Sequence, residues 1–127
     1  MAIPRLLVVD DDPDMRAMLT QFLRQNGVIA LPAATEADIR RQITAERVDL
    51  ILLDVMMPIV SGFDALATLK ADPRTVQIPV IMVTAKGQPD DVALARSLGA
   101  LEYIIKPWGE GDVELIVDWA LSASKAS

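Results

Sequence analysis

Short apolar runs alternate along this chain with longer segments in which apolar residues recur at helical spacing. Short apolar runs between helical patterns are typical of buried strands in a parallel sheet. Five such runs are present, and a helical pattern follows each of them. The sequence therefore predicts five strand–helix units. The predicted strands are Arg5–Asp10, Val28–Leu31, Val48–Asp54, Pro79–Thr84 and Leu101–Lys106.

Helix boundaries are indicated by capping residues, prolines and glycines. Asp12 is the predicted N-cap of a helix with Pro13 in its first turn, and Gly27 is placed to end that helix. Thr35, followed three residues later by Asp38, resembles a capping box for the second helix. The later predictions are a third helix from Ser61 or Gly62 to about Ala71, a fourth that Gly99 closes, a last helix over Glu110–Ser122, and a frayed polar tail, Ser124–Ser127.

Five strand–helix units with right-handed crossovers predict an α/β fold. The expected form is a flavodoxin-like three-layer sandwich, with a five-stranded parallel sheet of order 2-1-3-4-5 and five helices. The 127 residues fall within the size of one domain, which we place at 1–127. Hydrophobic residues make up 52% of the chain and aromatic residues only 4%, so the predicted core is aliphatic.

The composition argues against several classes of function. With 12 basic and 18 acidic residues the net charge is −6, whereas direct nucleic-acid binding needs a basic face. The chain has no cysteine for a disulfide or a thiolate metal site, and no histidine for acid–base catalysis or an internal phosphohistidine. The N-terminal apolar run is too short for a signal or membrane segment, so we expect a cytoplasmic protein without membrane contact.

Polar residues follow four of the five predicted strands. In open parallel sheets, ligands bind at the carboxyl ends of the strands. We therefore expect acidic groups, a hydroxyl and an ammonium to meet at one edge of the sheet. Such a set can hold a divalent cation and a phosphoryl group. The residues are Asp10, Asp11 and Asp12 at the end of the first strand, Asp54 at the end of the third, Thr84 at the end of the fourth and Lys106 at the end of the fifth.

Four motifs in this order, VVDDDP, LLDVMMPIVSG, VTA and YIIKP, carry a resemblance to a known family. Over about Leu6 to Leu121 the chain resembles the receiver domain of two-component response regulators, of the chemotaxis-regulator kind. The resemblance implies a phosphorylation-operated signalling switch that accepts a phosphoryl group from a histidine kinase or phosphotransfer protein. It also implies that the domain is not an enzyme, apart from catalysing its own phosphorylation and dephosphorylation.

The resemblance gives roles to individual residues. Asp54 looks like the phosphoacceptor, Lys106 like the charge partner of the phosphoryl oxygens, and Thr84 like a hydrogen-bond donor to one of them. Thr84 and Tyr103 look like the pair that switches conformation. The output face would be formed by the fourth helix, the fifth strand and the last helix.

The resemblance also implies Mg²⁺ as the cofactor, a hard cation that prefers oxygen ligands. Asp11 should be a direct ligand, together with a carboxylate oxygen of Asp54 and the backbone carbonyl of Met56. Asp10 should act mainly through water. We expect Asp12 to cap the first helix rather than to bind the metal.

The last helix carries more apolar residues than one buried face requires. Leu115 and Trp119 lie four residues apart, on the side predicted to be opposite to the core stripe. A second apolar face suggests a partner, such as a second copy in a homodimer through this helix, whereas the alternative is scattered exposed apolar residues, which are normal. The predicted core stripe is Val113, Ile116, Val117, Ala120 and Leu121.

Three alternatives use the same sheet. A Mg²⁺-dependent phosphatase of the haloacid dehalogenase type needs the spacing of Asp10 and Asp12, but the following threonine is missing and 127 residues leave no room for a substrate cap. A flavodoxin-like cofactor binder needs a hydroxyl- and glycine-rich phosphate loop, whereas three carboxylates would repel a phosphate. A receiver-like scaffold that is never phosphorylated is disfavoured by the intact set of residues.

Overall fold

The computed structural model describes residues 3–10, 12–54, 62–84, 89–105 and 109–126. Strands and helices alternate through this part of the chain, and the parallel sheet has the order β2-β1-β3-β4-β5, which confirms the predicted fold. The strands are β1 (Arg5–Val9), β2 (Ile29–Ala33), β3 (Leu50–Leu53), β4 (Val80–Thr84) and β5 (Glu102–Ile105). The helices are α1 (Pro13–Gln25), α2 (Glu36–Ala45), α3 (Gly62–Ala71), α4 (Pro89–Ser97) and α5 (Glu110–Ala126).

The predicted helix caps are present at both α1 and α2. The Asp12 side chain accepts hydrogen bonds from the backbone N–H groups of Asp14 (3.0 Å) and Met15 (3.3 Å), which otherwise lack partners in the first turn. Thr35 likewise accepts from the N–H of Asp38 at 3.2 Å. Gly27, just after α1, has φ +86°, a left-handed conformation that favours glycine at the end of a helix.

Alternate residues of the strands point to the two faces of the sheet, and each face has its own apolar core. One core lies under α1 and α5, and the other lies under α2, α3 and α4. The first contains Leu6, Val8, Leu50, Leu52 and Ile81 with Leu19, Leu23 and Ile116 from the helices. The second contains Leu7, Val9, Ile51, Leu53 and Met82 with Ile39, Leu66 and Ala95.

The second strand differs from its predicted span of Val28–Leu31. It continues through Pro32, which pairs with Val8, to Ala33. The strand tolerates a proline because β2 is an edge strand and alternate residues direct their N–H groups away from β1. The other four strands lie within their predicted bounds, and β1 begins at Arg5 and β4 ends at Thr84 as predicted.

The first helix buries a narrower stripe than the apolar spacing predicts. Leu19 and Leu23 are buried, but Met18 and Phe22, which recur in the sequence at the same helical spacing, are among the exposed large hydrophobic residues. Thr20, which is polar, takes a buried position instead and donates its hydroxyl to the carbonyl of Arg16 at 2.6 Å.

The predicted faces of the last helix are partly wrong. Val113, Ile116 and Ala120 are buried as expected, whereas Leu121, which was predicted to be in the core stripe, is exposed. Trp119, which was predicted to lie opposite the core, is partly buried and packs against the core under α1 and α5. The buried stripe is rotated toward Trp119, whose large ring reaches the core from the border of the stripe.

Helix α5 is also longer than the predicted Glu110–Ser122. It runs to Ala126, so the tail predicted to be frayed, Ser124–Ser127, is helical through residue 126. No proline or glycine follows Gly111 to end the helix. No helix in the described ranges is both long enough and apolar enough to cross a membrane.

Asp49 connects β1 to β3 at the sheet edge opposite to the predicted site. Its side chain accepts a hydrogen bond from the backbone N–H of Arg5 at 2.9 Å, and its own N–H donates to the carbonyl of Arg5 at 2.8 Å. Arg47 forms an ion pair with the same carboxylate, with Nε 3.3 Å from Oδ1. Because Asp49 is buried, these partners compensate for removing its charge from water.

Candidate functional site

Two acidic residues lie next to each other at the carboxyl edge of the sheet. Val9 pairs with Leu53, and the ladder continues one residue further because the N–H of Asp54 donates to the carbonyl of Val9 at 3.0 Å. The N–H of Asp10 donates to the carbonyl of Ala33 at 3.2 Å in the same way. Asp10 and Asp54 are only 6% and 5% exposed. Backbone pairing thus holds two buried carboxylates at adjacent strand ends.

The start of α1 also fixes the position of Asp10. The N–H of Asp12 donates to Oδ1 of Asp10 at 3.0 Å, and the guanidinium of Arg16 donates through Nη1 to the carbonyl of Asp10 at 2.7 Å. The sequence analysis missed Arg16. Its position four residues after the N-cap, one turn into the helix, is the signal that could have indicated a side chain near the strand end.

Tyr103, one of the two predicted switch residues, lies within electrostatic range of the candidate phosphoacceptor. It lies in β5, pairs with Met82 of β4, and is partly buried. Burial raises the pKa of its phenol above the ordinary value, and the carboxylates of Asp91 and Asp54 raise it further because they disfavour a second negative charge. Asp91, in the first turn of α4, is a neighbour that the sequence analysis did not single out.

The other predicted switch residue is placed by its backbone. Thr84 is the last residue of β4 and pairs with Ile105, the last residue of β5. Thr84 and Tyr103 are therefore on adjacent strands, close to the same edge of the sheet. The side chain of Thr84 lies outside the described part of the structure.

Three more predicted site residues, Asp11, Met56 and Lys106, lie outside the described residues. Lys106 directly follows β5 in the chain, and Asp11 lies between Asp10 and the N-cap Asp12. Within the described ranges, no group of three or more acidic, histidine or cysteine residues could hold a metal ion. Asp10 and Asp54 nevertheless supply adjacent carboxylate oxygens, the donor type that Mg²⁺ prefers.

Asp12 is placed as a helix cap, as the sequence analysis predicted. Its carboxylate oxygen Oδ1 accepts hydrogen bonds from backbone N–H groups in the first turn of α1, and its own N–H donates to the carboxylate of Asp10. The two aspartates thus have different surroundings, with Asp10 buried at the strand end and Asp12 exposed at the helix end. This arrangement can offer a buried carboxylate pair to a cation and a carboxylate nucleophile to a phosphoryl group.

Comparison with known proteins agrees with this arrangement. The family model described as "Response regulator receiver domain" matches residues 6–118. Protein PilH of Pseudomonas aeruginosa is 38% identical over 106 residues, which cover 84% of this chain and 88% of that protein. A solved CheY-like receiver domain from Methanospirillum hungatei superposes with a TM-score of 0.86 at 27% identity, covering 99% of this chain and all of that one.

Other similar proteins are much longer than this chain. The phosphate regulon transcriptional regulatory protein PhoB of Pseudomonas aeruginosa is 40% identical over 103 residues, which are 81% of this chain but 45% of PhoB. A probable cyclic di-GMP phosphodiesterase of Vibrio cholerae is also 40% identical over 103 residues, which are only 23% of its length. The chain thus spans less than half of these two relatives.

Proposed function

This chain belongs to the response regulator receiver domains, and from that membership we propose that it is a phosphorylation-operated switch with Asp54 as the phosphoacceptor. The observation that carries the proposal is the placement of Asp54. It is buried beside Asp10 at the carboxyl edge of the sheet, and the backbone of β1 fixes its position. This is the edge at which open α/β sheets bind ligands.

The reaction is the transfer of a phosphoryl group to a carboxylate. A carboxylate oxygen of Asp54 attacks phosphorus in line, so that a new O–P bond forms while the P–N bond of a phosphohistidine breaks and its electron pair returns to the imidazole nitrogen. This chain contains no histidine. The donor phosphohistidine therefore lies outside this sequence, in a histidine kinase or a phosphotransfer protein.

Asp11, a carboxylate oxygen of Asp54 and the backbone carbonyl of Met56 would hold Mg²⁺ directly, and Asp10 would hold it through water. When bound, the cation neutralises charge on the incoming phosphoryl group and the carboxylates. The hydrogen bond from the N–H of Asp12 fixes one oxygen of Asp10. The Asp10 carboxylate is thus held before any cation or phosphoryl group arrives.

The proposed switch runs from Asp54 to the edge strand β5. Lys106 pairs its ammonium with the phosphoryl oxygens, and the hydroxyl of Thr84 donates a hydrogen bond to one of them. Movement of Thr84 opens space that the ring of Tyr103 fills, which changes the face formed by α4, β5 and α5. The phosphate can shift this equilibrium only by its difference in interaction free energy between the two states.

We also propose that the domain works as a signalling module in the cytoplasm rather than as an enzyme with an external substrate. Its own chemistry is limited to gaining and losing the phosphoryl group. The homodimer predicted through α5 has weaker support than the kinase partnership. Of its two predicted contacts, only Leu115 is exposed, because Trp119 packs against the core.

The test is phosphorylation by a small phosphodonor. The protein is incubated with phosphoramidate and Mg²⁺, and intact mass spectrometry measures the phosphate adduct. Wild type and Asp64→Asn, a control on the exposed surface of α3, should form one adduct. Asp54→Asn should form none, and EDTA should suppress the adduct in the wild type and in Asp64→Asn.

The proposal fails if Asp54→Asn is phosphorylated as well as the wild type, or if EDTA has no effect. Lys106→Ala provides a further check. It should keep the Mg²⁺ affinity of the wild type but lose the response of the α4, β5 and α5 resonances to the phosphodonor, because its ammonium is assigned to the phosphoryl group. An unchanged response would make Lys106 an ordinary surface lysine.

A further inference from the structure

Acidic residues dominate the part of the chain that forms α4, β5 and α5. Residues 89–126 contain seven acidic and three basic residues, whereas residues 1–88 contain eleven and nine. Four of those eleven are the aspartates 10, 11, 12 and 54 at the candidate site, so the remaining surface of the first part is slightly basic. The seven are Asp90, Asp91, Glu102, Glu110, Asp112, Glu114 and Asp118.

Most of the charged side chains that the structure describes at the proposed output face are acidic. Lys106 is assigned to the phosphoryl group. Among the side chains that the structure describes on α4, β5 and α5, the basic group is that of Arg96. Asp90, Glu114 and Asp118 are all exposed. A negative potential on this scale selects partners by charge, although salt screens it over about 8 Å at physiological ionic strength.

Exposed apolar side chains accompany the acidic groups. Nine large hydrophobic residues are exposed in the described ranges, and five of them lie in α4, in β5 or directly before it, or in α5. Ile105 on the edge strand is 50% exposed, and Leu115 on α5 is 47% exposed. Leu115 is flanked by acidic positions, since Glu114 and Asp118 share α5 with it, and Ile105 is the last residue of the edge strand β5.

The charge decides between possible occupants of this face. A symmetric dimer would place the face against itself, because a two-fold interface uses the same patch on both subunits. Glu114 and Asp118 of one copy would then approach the acidic groups of the other, and like charges in an interface cost binding free energy. Nucleic acids and anionic membranes carry the same unfavourable sign.

From this combination we propose that the α4–β5–α5 face binds a basic protein segment with an apolar anchor, the anchor contacting Leu115 and Ile105 and the basic side chains pairing with Glu114 and Asp118. This inference rests on the proposed function only for the identity of the output face. An amphipathic helix that lays an apolar stripe between rows of lysines is one recurring form of such a segment.

A short synthetic helix serves as the probe. It carries leucines along one face and lysines on both sides of them, and the control peptide has glutamates in place of the lysines. Isotope-labelled protein with Mg²⁺ and beryllofluoride is titrated with each peptide while amide chemical shifts are recorded. The lysine peptide should shift amides of β5 and α5, with an affinity that falls as salt is raised, and the glutamate peptide should not bind.

Variants test the two kinds of contact separately. Leu115→Ser should lower the affinity for the lysine peptide by about tenfold or more, the range expected for an apolar anchor at an interface. The double variant Glu114→Lys with Asp118→Lys should lower this affinity to a similar extent and remove most of the salt dependence of binding. Met18→Ser on α1 and Asp64→Lys on α3 are matched controls at exposed positions and should bind as the wild type does.

Several outcomes would overturn the inference. Equal binding of both peptides would remove the role of charge, and shifts confined to α1 would place the contact elsewhere. Failure of the lysine peptide to bind would also overturn it. Sedimentation of the beryllofluoride-loaded protein alone should show a monomer, and a dimer that Leu115→Ser dissociates would identify a second copy as the occupant.

Intact mass, measured on a separate portion of the same protein that is treated with phosphoramidate and Mg²⁺ instead of beryllofluoride, separates this inference from the proposed function. A normal phosphate adduct on Asp54 without lysine-peptide binding would overturn only the partner assignment. A missing adduct would overturn the proposed function, whatever the peptide does.

Discussion

The amide N–H of Asp54 donates a 3.0 Å hydrogen bond to the carbonyl of Val9. This bond extends the β1–β3 ladder past the pair of Val9 and Leu53. The backbone of the neighbouring strand therefore holds the main chain of Asp54 in position. A substitution such as Asp54→Asn changes the chemistry of the side chain while this backbone bond remains, which makes it a clean probe of function.

Tyr103 should ionise at a higher pH than a free phenol. It is the single tyrosine of the chain, so the absorbance of its phenolate can be titrated without overlap from another tyrosine. Burial raises its pKa, and Asp91 and Asp54 add to this effect. The midpoint should therefore exceed the ordinary value of about 10 in the folded protein and return to it in urea. Asp91→Asn should lower the midpoint, whereas Asp118→Asn on α5 should leave it unchanged.

The same shift has a consequence for stability at alkaline pH. The pKa of Tyr103 is higher in the folded than in the unfolded state, so its contribution to stability is present below about pH 10 and is lost as the pH rises through the folded pKa. As the pH rises over that alkaline range, the free energy of unfolding of Tyr103→Phe should therefore fall less than that of the wild type. A phenolate midpoint at or below 10 would contradict the proximity of Tyr103 to Asp54 and Asp91.

Asp12→Ala should destabilise the domain by about 1 kcal/mol, the usual cost of removing a helix N-cap. The carboxylate accepts from the N–H groups of Asp14 and Met15, which would lose these partners. Urea unfolding in EDTA measures the change without a metal contribution. Asp14→Ala is the control, since that residue contributes only its charge near the helix N-terminus. An equal loss in both variants would mean that the Asp12 cap adds nothing specific.

Asp49→Ala should lower the free energy of unfolding more than Asp12→Ala does, by about 1–3 kcal/mol, because it leaves the N–H of Arg5 without its acceptor in a part-buried position. Asp49→Asn keeps an acceptor oxygen and should cost less. Arg47→Ala should have a small effect, since the Arg47 side chain is 47% exposed and exposed ion pairs contribute little. If Arg47→Ala lowers the free energy of unfolding as much as Asp49→Ala does, the ion pair rather than the backbone hydrogen bond accounts for most of the contribution of Asp49 to stability.

The edge strand β2 should be protected from pairing with another chain. The guanidinium of Arg24 donates to the carbonyl of Ala30 through Nε (3.2 Å) and Nη2 (2.8 Å), and Pro32 has no N–H to offer. The double variant Arg24→Ala with Pro32→Val should expose this edge and promote self-association, which light scattering over a concentration series would detect. Arg41→Ala, an exposed arginine of α2, is the control. A double variant as monomeric as the wild type would contradict a protective role.

The order of the elements was predictable from the sequence because two periodicities alternate in it. The buried runs of β1 and β3 are continuous and aliphatic, and Asp12, Pro13 and Gly27 mark the ends of α1 with specific backbone chemistry. The adjacency of Asp10 and Asp54 also followed, since strand order and the carboxyl ends of parallel strands determine it.

The features that the sequence analysis missed depend on tertiary contacts. Whether a strand can contain Pro32 depends on its being at the edge of the sheet, which no local pattern encodes. The burial of Trp119 depends on the rotation of α5 against the sheet, and a large ring at the border of a stripe can face either way. Arg16 and Asp91 act on residues outside their own helices, Asp10 after β1 and Tyr103 in β5, so the helical spacing alone did not identify them.

The most direct test of the central claim is to locate the phosphoryl group. The protein is phosphorylated with phosphoramidate and Mg²⁺ and then treated with borohydride, which reduces an acyl phosphate to an alcohol and so converts a phosphorylated aspartate to homoserine. Peptide mapping by mass spectrometry then identifies the converted residue. The account predicts homoserine at position 54 alone, and none when EDTA is present. Homoserine at position 10, 11 or 12, or none at all after a phosphate adduct has formed, would contradict it.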